Sequence, residues 1–278
     1  MKPTQNAPQT PKIPKTRVRP SSSRWPRRFP QAVAWFAGVL LVLLAGPLAV
    51  LASGRVELGP QWRSASRDGA GLAPDPAVET AAVVQVYGAR TVRWRGAFGI
   101  HSWIAVKRSG AAGYTTYQVV GWRAYRGLRA VDIRQGVVPD ARWFGELPDL
   151  LADRRGAGVD ALIDRIEAAV AHYPWPDSYR VWPGPNSNTF VAHIARAVPE
   201  LHVDLPPTAI GKDFLGPWRF FAPTPSGTGW QLSLYGLLGA AVGRDEGVEF
   251  NLLGLSVGID VDDLALRLPG IGRVAAGD

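Results

Sequence analysis

Cysteine is missing from all 278 positions of the chain. Its absence excludes disulfide bonds, zinc sites built on thiolates and catalysis by a thiol nucleophile. The lack of cysteine does not decide between an oxidising and a reducing compartment, because a domain of this size can bury enough core to fold without disulfide bonds. The length allows one domain of about 200 residues with appendages, or two small domains.

Acidic residues are absent from positions 1–31, which hold eight basic residues. The remaining 23 basic residues equal the 23 acidic ones, so the net charge of +8 belongs to this basic tail. The main domain therefore lacks the basic surplus that nucleic-acid binding needs, and no nucleic-acid partner is predicted. The Pro, Ser and Thr content of the tail predicts disorder over 1–31.

Long uncharged apolar runs are also rare in the sequence. The clearest one spans residues 32–52. At a rise of about 1.5 Å per residue, a helix of this length crosses the roughly 30 Å hydrocarbon core of a bilayer. The positive-inside rule places the basic tail in the cytoplasm. The sequence thus predicts a single-pass anchor with the N-terminus cytoplasmic and the main domain extracytoplasmic. In a Gram-negative cell this means a bacterial inner-membrane anchor and a periplasmic domain.

A cleaved signal peptide is the alternative interpretation of the same run. Ala52 ends a tolerable small-residue cleavage site, but the run exceeds the usual apolar length of about 7–15 residues. An uncleaved anchor is therefore favoured, and a buried helix of a soluble protein is the third interpretation.

Beyond the anchor, residues 53–80 are predicted to be a polar connector and residues 81–278 an extracytoplasmic domain. β-Branched and aromatic runs predict four strands, at 81–87, 98–107, 114–122 and 128–134. Because the gaps between them are short, they are expected to form an antiparallel meander.

Two segments have the 3.6-residue period of helices, 159–172 and 188–197. The apolar, glycine-studded runs 230–242 and 248–259 are predicted to form a hairpin packed on the core. The fold class predicted from these elements is α+β.

The second predicted helix opens with the run Asn-Ser-Asn-Thr-Phe at 186–190. Exposed N–H groups at a helix N-terminus stabilise negative charge, which suits a nucleophile. The run resembles the helix opening of circularly permuted papain-like peptidases of the deubiquitinating or desumoylating type, where cysteine stands at the position of Ser187. In that group the histidine strand precedes the helix, as His101 does here. The resemblance implies a permuted papain-like domain, with an antiparallel sheet and packed helices, distantly similar to NlpC/P60-type hydrolases.

Serine changes the chemistry that the resemblance implies. Helix-dipole assistance of about 0.3–1 kcal/mol does not ionise a hydroxyl at neutral pH, so Ser187 would need His101 as a general base within about 3 Å. Three hypotheses stay open: catalysis by Ser187 and His101, a ligand pocket that keeps their geometry, and a purely structural helix cap with a core histidine. The candidate binding residues around the pair are Asn186, Asn188, Trp103, Trp182 and Asp213.

Longer stretches, at 84–87, 94–98, 182–190, 205–213 and 225–231, resemble a bacterial membrane family known only as domain of unknown function 3750. This resemblance implies an anchored cell-envelope protein and supplies no activity. The leading hypothesis is an accessory or binding module with a degenerate papain-like pocket. The alternative is a serine-dependent amidase, peptidase or acyltransferase that acts on envelope peptides or lipids, so a peptidoglycan peptide or a lipid is the predicted ligand.

No cofactor or metal is predicted. His172, His193 and His202 lack the spacing of metal ligands. The glycine-containing loop at 225–229 lacks the lysine of a phosphate-binding P-loop.

Overall fold

The computed structural model describes residues 28–59 and 64–275, and the described chain divides into two units between Gly38 and Val39. The α-helices are α1 (Arg28–Ala52), α2 (Gly121–Ala124), α3 (Val159–Ala171) and α4 (Ser187–Ala197). Two 3-10 helices span Arg93–Ala97 and Pro199–Leu201. The predicted disordered tail lies outside the described residues, except that its last four residues begin α1.

Helix α1 contains the segment Pro30–Ala52, whose 23 residues have a mean hydropathy of 2.4 and are long enough to cross a membrane. Its C-terminal half belongs to the larger unit. There, Leu43, Pro47 and Val50 recur at helical spacing and are buried. Val50 packs in a small apolar cluster with Val56 and Ala97.

The first sheet has five strands in the order β4-β3-β2-β1-β5, all antiparallel. The strands are β1 (Val83–Arg90), β2 (Ile100–Lys107), β3 (Thr115–Val119), β4 (Val131–Gln135) and β5 (Asp149–Arg155). The predicted meander is confirmed by β1 to β4. Strand β5 was not predicted, because four of its seven residues are charged and it lacks the apolar alternation of a strand.

Helices α3 and α4 cover one face of this sheet, and both helical predictions are confirmed to within a residue or two. Ile163 and Ile166 of α3 and Phe190 of α4 are fully buried against Ile104 of β2 in the main core cluster. An α+β architecture of helices on an antiparallel sheet is therefore established.

The predicted C-terminal hairpin is wrong, because the segment forms a seven-stranded antiparallel sheet in the order β12-β11-β10-β9-β8-β7-β6. The strands are β6 (Phe221–Pro223), β7 (Gly229–Leu234), β8 (Leu238–Gly243), β9 (Gly247–Leu252), β10 (Leu255–Asp260), β11 (Ala265–Leu268) and β12 (Gly272–Val274). Each predicted strand of the hairpin contains a tight turn. One is Leu253–Gly254, with φ values of 56° and 87°, the backbone of a two-residue type I′ turn.

A buried charge cluster holds the polar face of this second sheet against the rest of the domain. Glu249 of β9 accepts from Lys212 at 2.7 Å and from Arg267 at 3.0 Å. Arg267, fully buried, also forms a bidentate pair with Asp204 at 2.6 and 2.7 Å. Burial opposes ionisation of Glu249, but the two adjacent cations lower its pKa below the usual value.

The described parts of the predicted connector, residues 53–59 and 64–80, are attached to the domain, and Val56 packs against Ala97 in the small apolar cluster. The buried Asp140 carboxylate accepts hydrogen bonds from the N–H groups of Leu72 at 2.6 Å and Ala73 at 3.1 Å. A backbone bridge between Gly69 and Ala141 extends the contact.

Replacing Glu249 with Gln should destabilise the fold by about 3–5 kcal/mol, because two buried cations lose their shared anion. The matched control is Asp262→Asn, which breaks an exposed ion pair with Arg244 and should change stability by less than about 1 kcal/mol. Denaturant unfolding of both variants measures the difference. Equal effects would show that the buried cluster does not hold the second sheet in place.

Candidate functional site

The start of α4 is fixed by the side chain of Asn186. Its Oδ1 accepts from the N–H groups of Asn188 at 3.0 Å and Thr189 at 3.1 Å, which makes it the N-cap. Its Nδ2 donates to the carbonyl oxygens of Val181 at 3.0 Å and Ile210 at 2.9 Å. Each polar atom of this side chain is thus used within the fold.

Asn188 joins the same helix to its sheet. Its Oδ1 accepts from Ser102 Oγ at 2.8 Å, and its Nδ2 donates to the carbonyl oxygens of Ile100 at 3.1 Å and Ile210 at 2.9 Å. Ser187 lies between the two asparagines, only 3% exposed. Among the described residues, its hydroxyl has no side-chain hydrogen-bond partner.

The structure does not bring His101 and Ser187 together. Side chains alternate between faces along β2, and Ser102 points toward α4, so His101 points to the opposite face of the sheet. There its ring stacks on Trp143, with centroids 3.6 Å apart and planes 11° from parallel. No hydrogen bond joins the imidazole to Ser187 in the described part of the chain.

His101 instead begins a polar chain that runs through the partly buried Gln118 to the buried Asp132. The Gln118 amide donates to the Asp132 carboxylate at 3.1 Å, which leaves its Oε1 to accept from His101 Nε2 at 2.9 Å. Because a carboxylate only accepts, the amide orientation is fixed and Nε2 carries the imidazole proton. Burial lowers the pKa of His101 to about 4, and the Gln118 contact opposes this only in part. The imidazole is therefore neutral at physiological pH.

The other candidate binding residues also have partners inside the fold. The Trp103 indole N–H donates to a backbone carbonyl at 2.8 Å, and its ring stacks on Tyr87. The Trp182 indole N–H donates to the Leu253 carbonyl at 2.9 Å, while its side chain remains 47% exposed. Asp213 accepts from Asn251 at 2.7 Å, and burial raises its pKa.

A groove of about 840 Å³ lies elsewhere, along β3, β4 and α3. Its apolar wall includes Val131 and Ile133, which alternate along β4 on the face shared with α3. Three arginines and one glutamate also line it, namely Arg108, Arg123, Arg129 and Glu167. The groove therefore joins an apolar wall to a cationic rim.

The three arginines differ in how firmly they are paired. Arg108 contacts both Asp164 and Glu167 at 2.8 Å. Arg123 contacts the buried carboxylate of Asp132 at 3.2 Å. Arg129 has a long contact of 3.6 Å with Asp177, and its side chain is 68% exposed. Arg129 is thus the least constrained of the three and the best placed to meet an anionic ligand.

No sequence motif indicated this groove. Its lining residues fall within the predicted strands and the first predicted helix, but alternation in a strand shows only that residues share a face. The usable signal was the arginine-rich stretch between β3 and β4, at 123–129, because basic and acidic residues balance over residues 32–278 as a whole.

The fold and site define an α+β domain that follows an apolar helix compatible with a membrane anchor. The helix N-terminus of this domain is occupied by structural hydrogen bonds. Residues 81–214, just under half of the chain, match the sequence model of a family described as protein of unknown function (DUF3750). The resemblance to a domain of unknown function is thereby confirmed.

Two further comparisons return nothing: neither a curated protein nor a solved structure matches the chain. The family match ends before β6, so the seven-stranded sheet lies outside it. Within 28–59 and 64–275, no group of three His, Asp or Glu side chains is placed to hold a metal ion.

The buried His101 predicts a pH dependence of stability. A folded pKa of about 4 against a reference of 6.5 means that the unfolded chain binds more protons between these values. Stability from this group is complete above about pH 6.5 and should decline by about 3 kcal/mol toward pH 4.

His101→Gln keeps a donor toward Gln118 but cannot titrate, so it should flatten the stability profile over this range. His172→Gln, at an exposed position, is the control and should retain the wild-type profile. Urea unfolding at a series of pH values measures the slopes. A wild-type slope in His101→Gln would mean that the imidazole is not held neutral.

Proposed function

We propose that the protein is a binding module of the bacterial cell envelope, anchored in the inner membrane by α1, with the N-terminus cytoplasmic and the domain periplasmic. The basic tail supports this orientation through the positive-inside rule. The packing of α1 supports an anchor that is retained after secretion. A Cβ on Gly46 would lie 2.1 Å from the Pro269 carbonyl oxygen, so the helix and the β11–β12 turn are closely fitted.

The groove along β3, β4 and α3 carries the proposal of binding. Its volume of about 840 Å³ suits a small ligand, and its apolar wall beside arginines matches an amphipathic anion. Of the two ligand classes predicted from the sequence, a lipid-like alkyl carboxylate is favoured over a peptide. The reasons are that the wall is apolar and that a membrane anchor keeps lipid at high local concentration.

The resemblance to permuted papain-like domains supports a degenerate hydrolase framework in this proposal. The histidine strand does precede the helix, and Asn186 and Asn188 flank Ser187 at its start. These asparagines serve the helix cap and the sheet contact, so the framework has a structural use without catalysis. The serine-dependent hydrolase stays a prediction that no observed contact favours.

Decanoate should bind the full-length chain in nanodiscs, and Arg129→Ala and Ile133→Glu should each weaken binding at least about tenfold. The first removes the least constrained cation, and the second places a negative charge on the apolar wall. Isothermal titration measures the affinities.

The controls for this titration are Arg126→Ala, a neighbouring arginine outside the groove lining, and Leu150→Glu, on the opposite edge strand β5. Both should bind decanoate like the wild type. Equal weakening in all four variants, or tighter binding of an acidic peptide than of decanoate, would contradict the proposed ligand.

A fluorophosphonate probe should fail to label Ser187, because a base within hydrogen-bonding distance is missing among the described residues. Labelling of the wild type is compared with that of Ser187→Ala and of Ser102→Ala by mass spectrometry. Labelling that disappears in Ser187→Ala alone would establish the hydrolase alternative.

A further inference from the structure

The seven-stranded sheet is inverted, with its polar face buried and its apolar face exposed. In β7, Trp230, Leu232 and Leu234 are 56%, 53% and 47% exposed, while Gln231 and Ser233 between them are buried. Strand β9 repeats the pattern. Val248 and Phe250 face outward there, and Glu249 and Asn251 face inward.

The exposed residues form continuous rows because the strand register aligns them. One row crosses all seven strands through Pro223, Trp230, Val242, Val248, Ile259, Leu266 and Val274. At a strand spacing of about 4.8 Å, this row is roughly 29 Å wide. Every outward position in the described strands β6–β12 is apolar. We call this surface the apolar sheet face.

The two ends of the sheet differ in charge. The β7–β8, β9–β10 and β11–β12 turns, at 235–237, 253–254 and 269–271, lie at one end and contain no charged residue. The β8–β9 and β10–β11 turns lie at the other end, where Arg244 pairs with Asp262. The hairpin turns are therefore uncharged at one end of the sheet and charged at the other. Two cations lie beside the uncharged turns: Arg219, exposed in the segment leading into β6, and Arg90, which contacts the β11–β12 turn.

The uncharged end is the one that touches the anchor. The β11–β12 turn fits against α1 at Gly46 and Pro47, because a Cβ on Gly270 would lie 2.7 Å from the Pro47 nitrogen. Gly46 is six residues before the end of the apolar segment, which is about 9 Å of helix rise. The carbonyls of Gly270 and Ile271 accept from Arg90, so these two groups are not left unpaired at that depth.

We infer that the apolar sheet face is a second membrane contact, inserted by its uncharged end into the leaflet where α1 emerges. The occupant of this face is lipid, because the anchor holds its uncharged end at hydrocarbon depth and no outward position offers a partner for a polar group. Trp218, 88% exposed in the segment leading into β6, adds an aromatic side chain of the kind favoured at membrane interfaces. The inference rests on the proposed anchor and is independent of the ligand in the groove.

The absence of native cysteine allows a direct test by spin labelling of the full-length chain in nanodiscs containing anionic and zwitterionic phospholipid. Single cysteines replace Leu238 and Leu253 at the uncharged end, and Arg244 and Asp262 at the charged end. Electron paramagnetic resonance then compares collisions with oxygen, which partitions into lipid, and with a water-soluble nickel chelate. Labels at 238 and 253 should favour oxygen several-fold, and labels at 244 and 262 should favour nickel.

Two further labels separate the outcomes. Val42→Cys, on the exposed side of α1, reports the anchor, and Leu150→Cys, exposed on the edge strand β5 of the other sheet, should favour nickel. Lipid contact at Val42 together with nickel contact at 238 and 253 would overturn the inference and leave the anchor intact. Nickel contact at Val42 would overturn both. Dipolar broadening at 238 that disappears on dilution with unlabelled chain would identify a second copy as the occupant and also overturn the inference.

Discussion

The orientation of the C-terminal sheet depends on the buried carboxylate of Glu249. Its two oxygens form ion pairs with Lys212 and Arg267, both of which are buried away from water. Breaking such a buried pair leaves unpaired charge in a medium of low polarity, which is among the larger destabilising changes in proteins. Once Glu249 faces inward, the alternation of side chains along β9 turns Val248 and Phe250 outward. Because paired residues on neighbouring strands face the same side, the same orientation extends across the whole sheet.

A second set of constraints positions the part of the chain that the family model matches. Asn186 and Asn188 both donate to the Ile210 carbonyl, so the loop after α4, the helix start and β2 are held at one point. A run that resembles an active-site motif thus functions here as a structural junction. The family match covers this junction and ends before the inverted sheet.

Local patterns predicted the meander and both long helices because each buries a conventional apolar face. Strand β5 was not predicted because it pairs with β1, which is distant in sequence, and because its charged residues do not form a recognisable strand pattern. The second sheet was misread as a hairpin because its apolar residues were assumed to face inward. His101 shows a different limit. The resemblance to permuted papain-like peptidases placed it near the helix, but a shift of one residue along β2 decides which face of the sheet it occupies.

The close fit of Gly46 to the β11–β12 turn makes α1 a rigid attachment to the domain rather than a flexible tether. Because the helix is seated in the domain along Leu43, Pro47 and Val50, the domain cannot swing freely around its attachment point. If α1 is the proposed anchor, the groove beside Arg129 would be held at one height and one tilt relative to the bilayer. The proposed ligand would then be bound only within a thin layer next to the membrane.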